Sequence, residues 1–266
     1  MTERRLGRRE LLGLAGAAAF CAACSGASVT LPPQGSRAGK GATSTPGSAP
    51  ASTSPPPIQP TASLPVADLS DVSYGSRSQP KLALTFHGAG PVPLAKAVLA
   101  ELARAQVHVT VFAVGSWLVA EPAMARLILD GGHELGNHTY THLPMRTLSS
   151  PTARTEVARC ATVLKQLTGT HGAWFRPSGT QASTATIRAA ARASGYPRCI
   201  SYDVDSLDWT DPAPAAVTRQ VLGKARAGSI VSMHLGHAAT VSALPGLLDG
   251  LVARSLAPVT VSQLLG

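Results

Sequence analysis

The chain has 266 residues and carries 23 Lys+Arg against 14 Asp+Glu, a formal net charge of +9. Hydrophobic residues make up 44% and aromatics only 4%, so a real core is available but must be built from Ala, Leu and Val, and an acidic disordered chain is excluded. Four cysteines in this length exclude a small disulfide-stapled scaffold.

Residues 1–24 have the build of an export signal. Two arginine pairs, Arg4-Arg5 and Arg8-Arg9, precede an apolar run of 13 residues from Leu11 to Ala23. A comfortable membrane span needs about 20 residues, and the run has no polar face for an amphipathic helix. Arg8-Arg9 ahead of Glu10-Leu11-Leu12 resembles a twin-arginine signal. Cys24, after Ala22-Ala23 and before Ser25-Gly26, resembles the lipidated cysteine of a bacterial lipoprotein, although Cys21 stands where that motif usually has Leu. The expectation is a head outside the cytoplasm, anchored to the membrane through Cys24; cleavage and release is the alternative.

Residues 25–77 hold nine Pro, eleven Ser, five Thr and six Gly. With little to bury, ordering them costs backbone entropy without apolar return, so they are expected to form a flexible linker. Residues 78–266 are the expected folded domain. It contains all eight histidines, with 16 Lys+Arg against 10 Asp+Glu. That sign suits an anionic surface such as cell-wall polymer or lipid head groups. The basic residues are scattered singly without aromatic interleaving, so nucleic acid is not expected as a partner. No protein partner is indicated.

In the folded part, short β-prone runs alternate with Ala/Leu/Arg-rich stretches. Strands are predicted at 81–86, 107–115, 133–138, 173–176, 197–204, 229–234 and 257–262. Helices are predicted near 93–105, 118–131, 151–168, 182–194, 213–226 and 243–254. Seven strands with crossover helices mean an α/β fold with a parallel sheet. Polar residues fall at the carboxyl ends of the strands, where such folds gather their chemistry: His87, His138, Arg176, the group Asp203, Asp205 and Asp208, and His234. A closed barrel explains this convergence better than an open sheet, because its strand ends form a ring.

His138 and His142 lie four apart, which on a helical turn puts both imidazoles on one face as a pair of metal ligands. A solvated face is the bland alternative. Glu134 and Asn137 are candidates to orient the ring N–H groups. The stretch Ser201–Trp209 carries three carboxylates, read either as a solvated turn or as a partner for a histidine on a neighbouring strand, with Trp209 as a wall for a sugar ring. His234, ending an apolar strand, is poised as an acid or base, or is half-buried and bonded to backbone. Cys160 and Cys199 are either a disulfide or two small buried thiols.

These stretches resemble the polysaccharide deacetylase family, also called the NodB-homology domain or carbohydrate esterase family four, over about residues 79–265. The family's His-Ser/Thr-x-x-His motif is matched by His138-Thr139-Tyr140-Thr141-His142 and its Arg-x-Pro motif by Arg176-Pro177-Ser178-Gly179. Its fourth motif is matched by Asp205-Ser206-Leu207-Asp208-Trp209 and its Leu-x-His by Ser232-Met233-His234. The resemblance implies a distorted (β/α) barrel and a divalent metal, usually zinc. It implies removal of acetyl groups from N-acetylated, or O-acetylated, glycans such as peptidoglycan. On those matches His138 and His142 are metal ligands, and His234 is the acid, with Asp208 its orienting partner and Asp205 the reserve. Arg176 lies beside the catalytic base, Gly179 supplies an N–H to the oxyanion, and Trp209 and Met233 line the substrate site.

The first motif departs from the pattern. Where the family has Thr-Phe-Asp-Asp-Gly, this chain has Thr85-Phe86-His87-Gly88-Ala89. His87 replaces the catalytic base, and Gly88 replaces the third metal ligand. Three outcomes stay open: His87 joins the metal, Asp203 or His237 completes the shell, or no metal binds and the domain is an inactive glycan-binding relative.

Overall fold

A computed structural model describes residues 71–266. The signal expected over 1–24, Cys24 and the linker as far as residue 70 lie outside the described residues. The linker expected over 25–77 ends earlier than its composition indicated. Val72 is buried and exchanges backbone hydrogen bonds with Cys199 and Ser201, and Arg77 pairs with Asp203 at 2.9 Å. Tyr74 bridges Ser229, Gly75 donates to the Gly228 carbonyl and Asp71 accepts from the Ser183 N–H, so this polar segment is held against the domain along its length.

The elements are β1 (Lys81–Gly88), α1 (Val92–Arg104), β2 (Thr110–Ala113), α2 (Gly115–Ala120), α3 (Ala123–Asp130), β3 (Glu134–Asn137), α4 (Ser150–Thr168), α5 (Ala185–Ala193), β4 (Val204–Asp205), α6 (Pro214–Lys224), β5 (Ile230–His234), α7 (Ala238–Ala253), β6 (Ala257–Val259) and α8 (Val261–Leu265). The named strands are all parallel, in the order β3-β2-β1-β5-β4, with β6 also on β1. Single bridges close the ring. Phe175 joins Asn137 on one side and Cys199 on the other, and the chain from Cys199 runs on into β4 beside β5. The fold is therefore the distorted (β/α) barrel.

Six strands replace the predicted seven. The segment 173–176 contributes bridges at Phe175 alone, and 197–204 shrinks to bridges at Cys199 and Ile200 before the two residues of β4. Short β-prone runs do not reveal which of their residues find a ladder partner. The predicted helix 118–131 is two helices, broken at Glu121-Pro122, since proline restricts the residue before it. Helix α7 begins at Ala238 and runs through Pro245, five residues earlier than predicted, and the segment predicted as strand 257–262 turns into α8 at Val261.

Strand alternation sorts the side chains. Leu82, Leu84 and Phe86 of β1 join Val231 and Met233 of β5 in the main core under the helices. Ala83 and Ile230 face inward with Phe112, Ile200 and Val72 and plug the barrel floor. Thr85, His87, Ser232 and His234 continue the inward set upward, which sends polar groups to the carboxyl rim. Cys160 and Cys199 are both free and buried, on different core clusters. Burial raises their thiols to about 12 and about 11, so the disulfide alternative is corrected to two unreactive thiols. In denaturant without reductant, peptides containing Cys160 and Cys199 should both take up iodoacetamide, as read by mass spectrometry; protection of both would mean a bridge.

Candidate active site

The carboxyl ends of β1, β3 and β5, the loop after β3 and the turn after β4 surround a cleft of about 670 Å³. Its lining includes His87, His142, Gly179, Asp205, Trp209 and His234, all expected from the sequence.

His87, His138 and His142 each offer a ring nitrogen, and these atoms lie within 4.8 Å of one another. His138 is fully buried, and its Nδ1 contacts the Arg176 carbonyl at 2.8 Å. A carbonyl only accepts, so Nδ1 carries the proton and Nε2 keeps a bare lone pair. Among the described residues that Nε2 is buried without a hydrogen-bond partner. Such an atom is costly unless something electropositive meets it. Three imidazoles with one lone pair already exposed to the common centre fit a divalent metal of the zinc type. The expected helical turn is corrected. Residues 138–142 form a loop in which Thr139 and His142 both take left-handed backbone, φ +67° and +62°. Two such residues cost about 1–3 kcal/mol each, strain of the kind that collects at functional sites. The clamp on this loop is Glu156 of α4, whose carboxylate accepts from the backbone N–H groups of Tyr140 and Thr141.

Burial, then the neighbouring His138, His234 and Arg176, holds the His87 imidazole well below its ordinary value. Burial and then His142 do the same for His138, and burial with His234 lowers His142. All three are neutral at neutral pH, the state in which imidazole binds a metal.

Asp203 does not reach this centre. It lies toward the amino end of the barrel, bonded to Arg77, Ser229 and the Ile230 N–H. His237 lines the cleft but bonds Asp211 at 3.0 Å and stands beside His234, outside the triad. Glu134 and Asn137 are also corrected as orienting groups. Glu134 binds Thr110 and Trp174, and Asn137 binds the Val157 carbonyl and Tyr196, while a backbone carbonyl orients His138. Position 88 is closed: a Cβ on Gly88 meets Val111 Cγ1 at 2.8 Å and the Ala113 Cα at 3.1 Å.

Asp208 and His234 form the second unit. Asp208 is fully buried and accepts from His234 Nδ1 and the His234 N–H, both at 2.8 Å, and from Thr240 Oγ1 at 2.5 Å. Burial alone raises this carboxyl, but those donors outweigh it and hold it below the usual carboxylate range. Asp205 instead caps its own turn, accepting from the Leu207 N–H.

Arg176 is buried beneath the histidines, bonded to Thr85 Oγ1 at 2.7 Å and to the Ile200 and Ser201 carbonyls. Burial pushes its guanidinium down to about 9. Met233 is corrected as a substrate contact. It is fully buried in the core, because alternation points it away from the barrel while Ser232 and His234 point in. Among the aromatics of the domain, Trp209 (52% exposed) and Tyr202 line the cleft. Trp174, Trp117 and Tyr140 are used elsewhere. Sequence reasoning missed Ser232, whose Oγ lies 3.0 Å from His87 Nε2, and also Thr180, Gln181 and Thr240. Only the inward parity shared with His234 marked Ser232.

Residues 74–198 match the sequence profile of the family described as Polysaccharide deacetylase. The uncharacterized protein YlxY of Bacillus subtilis is 27% identical over 78% of this chain. The chain spans 64% of that relative's length, less than two thirds. A peptidoglycan-N-acetylglucosamine deacetylase of Bacillus cereus is 30% identical over 69% of this chain and 87% of its own length. Among solved structures, BA3943, described as a CE4 family pseudoenzyme from Bacillus anthracis, superposes with a TM-score of 0.70 at 27% identity, covering 74% of this chain and 69% of that one. A BA3943 mutant described as having restored enzymatic activity superposes with the same score.

Replacing Asp208 by Asn removes the charge that three donors converge on, and should cost about 1–3 kcal/mol in chemical denaturation at neutral pH. The folded carboxyl is depressed, so its contribution is full above the unfolded value and is lost as pH falls through the lower folded value. The difference between wild type and Asp208→Asn should therefore shrink in acid.

Proposed function

This chain belongs to the polysaccharide deacetylase family, and on that premise we propose that it is a metal-dependent hydrolase acting on acetylated cell-wall glycan, the N-acetyl group first. The observation that carries this reading is the meeting of His87, His138 and His142 around the bare, buried Nε2 of His138. These three residues would hold the ion, zinc first, with His87 in place of the missing aspartate. A divalent metal there supplies electrophilic activation of the acetyl carbonyl and of water.

The chain's own groups do the rest. Asp208 holds the His234 Nδ1–H, leaving His234 Nε2 free to carry a proton to the departing nitrogen as the acetyl–nitrogen bond breaks. The Gly179 N–H, at the cleft wall, is a donor for the carbonyl oxygen. Trp209 and Tyr202 offer flat apolar surfaces to a sugar ring. Arg176 favours neutral imidazole at His87 by like charge and supplies no proton. The arginine-rich start and Cys24 support an extracytoplasmic head on a lipid anchor. The named activities of relatives such as the Bacillus cereus deacetylase favour peptidoglycan as the substrate.

A second reading is favoured by one observation. The first motif has lost both carboxylates, and a structural neighbour is described as a pseudoenzyme. In that reading the cleft binds glycan without cleaving it.

Elemental mass spectrometry of the chain and of His87→Ala separates them. Near-stoichiometric zinc in wild type, lost in the variant, with chelator-sensitive acetate release from N-acetylglucosamine oligomers, is the expected result. No metal after reconstitution with excess zinc, together with chelator-insensitive oligosaccharide binding, establishes the second reading instead. Because Val111 and Ala113 fill the space beside Gly88, Gly88→Asp should lower stability rather than raise zinc affinity, as followed by thermal melting and zinc titration.

A further inference from the structure

Two inward-facing positions on adjacent strands, His87 on β1 and Ser232 on β5, touch at the cleft. Ser232 Oγ lies 3.0 Å from His87 Nε2. Ser232 is 2% exposed, and among the described residues its hydroxyl has this one hydrogen bond.

A neutral imidazole has one N–H, and the hydroxyl decides where it goes. If Ser232 donates to Nε2, the ring proton sits on Nδ1 and neither nitrogen has a lone pair for an ion. If Nε2–H donates to Ser232 Oγ, the Nδ1 lone pair is free. The meeting of the three histidines favours the second arrangement: Ser232 engages Nε2, so Nδ1 is the His87 nitrogen left to join His138 and His142, and the serine hydroxyl can turn into the cleft that it lines and meet water there.

The geometry points to Ser232 as a positioning residue that accepts the His87 Nε2–H and thereby presents His87 Nδ1 to the three-histidine centre. It would play the part that the Arg176 carbonyl plays for His138, from the opposite ring nitrogen. The inference rests on the metal-site reading above, but the tautomer it requires is a property of the metal-free chain.

The test is a proton–nitrogen correlation spectrum of the full chain without metal, labelled with nitrogen-15 at its histidines and assigned with His87→Gln. It is combined with competitive zinc titration and thermal melting of wild type and Ser232→Ala. The expected result is an Nε2–H tautomer at His87 in wild type. In Ser232→Ala that tautomer becomes mixed and zinc affinity falls about 10–100-fold, while the metal-free melting temperature stays close to wild type. Ser232→Thr, which keeps the hydroxyl, should restore the tautomer. An Nδ1–H tautomer in wild type, or an unchanged tautomer and unchanged zinc affinity in Ser232→Ala, overturns the inference. An Nε2–H tautomer that depends on Ser232 in a chain that takes up no zinc upholds the positioning and defeats the metal-site reading instead.

Discussion

The centre of this molecule depends on a buried guanidinium that, among the described residues, has no carboxylate partner. Arg176 is bonded to Thr85 Oγ1 and to the carbonyls of Ile200 and Ser201, and lies over the ring of Phe112. A buried charge left unsatisfied costs several kcal/mol, so each of these acceptors is a requirement. Thr85 must be polar, and it relays the bond onward to the Val231 carbonyl at 2.6 Å. The Ile200-Ser201 segment must hold its carbonyls inward, which brings it beside Phe175 and completes the ring. The backbone of Arg176 accepts from His138 Nδ1 and donates to the Asn137 carbonyl, so the segment that helps close the barrel also orients the His138 imidazole.

Above that charge the site is built from neutral groups. The family's two first-motif carboxylates are replaced here by an imidazole and a glycine, and a Cβ at Gly88 would meet Val111 and Ala113. What remains is three imidazoles kept neutral by burial and mutual repulsion, an arrangement matched to a cation and poorly matched to protonation. The anionic partner in the cleft's machinery, Asp208, is committed by three donors to His234 and its helix. The three imidazoles and the Asp208–His234 pair are therefore separate units, and the carboxylate belongs to the pair.

The expectations that failed did so for physical reasons specific to particular residues. His138 and His142 have a helical spacing, yet Glu156, sixteen and fifteen residues beyond Tyr140 and Thr141, captures the intervening N–H groups and shapes a left-handed loop. Asp203 has the right chemistry for a metal, but it precedes the two-residue β4 and is taken up by Arg77, Ser229 and the Ile230 N–H. Met233 sits between two inward residues, and the period of two sends it into the core.

The sequence by itself determined the alternation of parallel strands and crossover helices, because hydrophobic periodicity and Pro/Gly punctuation are local signals. It also determined which residue types stand at the strand ends, and so named His87, His138, His142, Asp208 and His234. Only the tertiary structure decided which of the three possible third ligands meets the other two, since that depends on strand register: β1 places His87 level with His234 on β5 and with Phe112 on β2. It alone decided that Ser232 touches His87 and that a carbonyl fixes His138. Those contacts join residues far apart in the chain, and their distances and hydrogen-bond partners exist only once the barrel is closed.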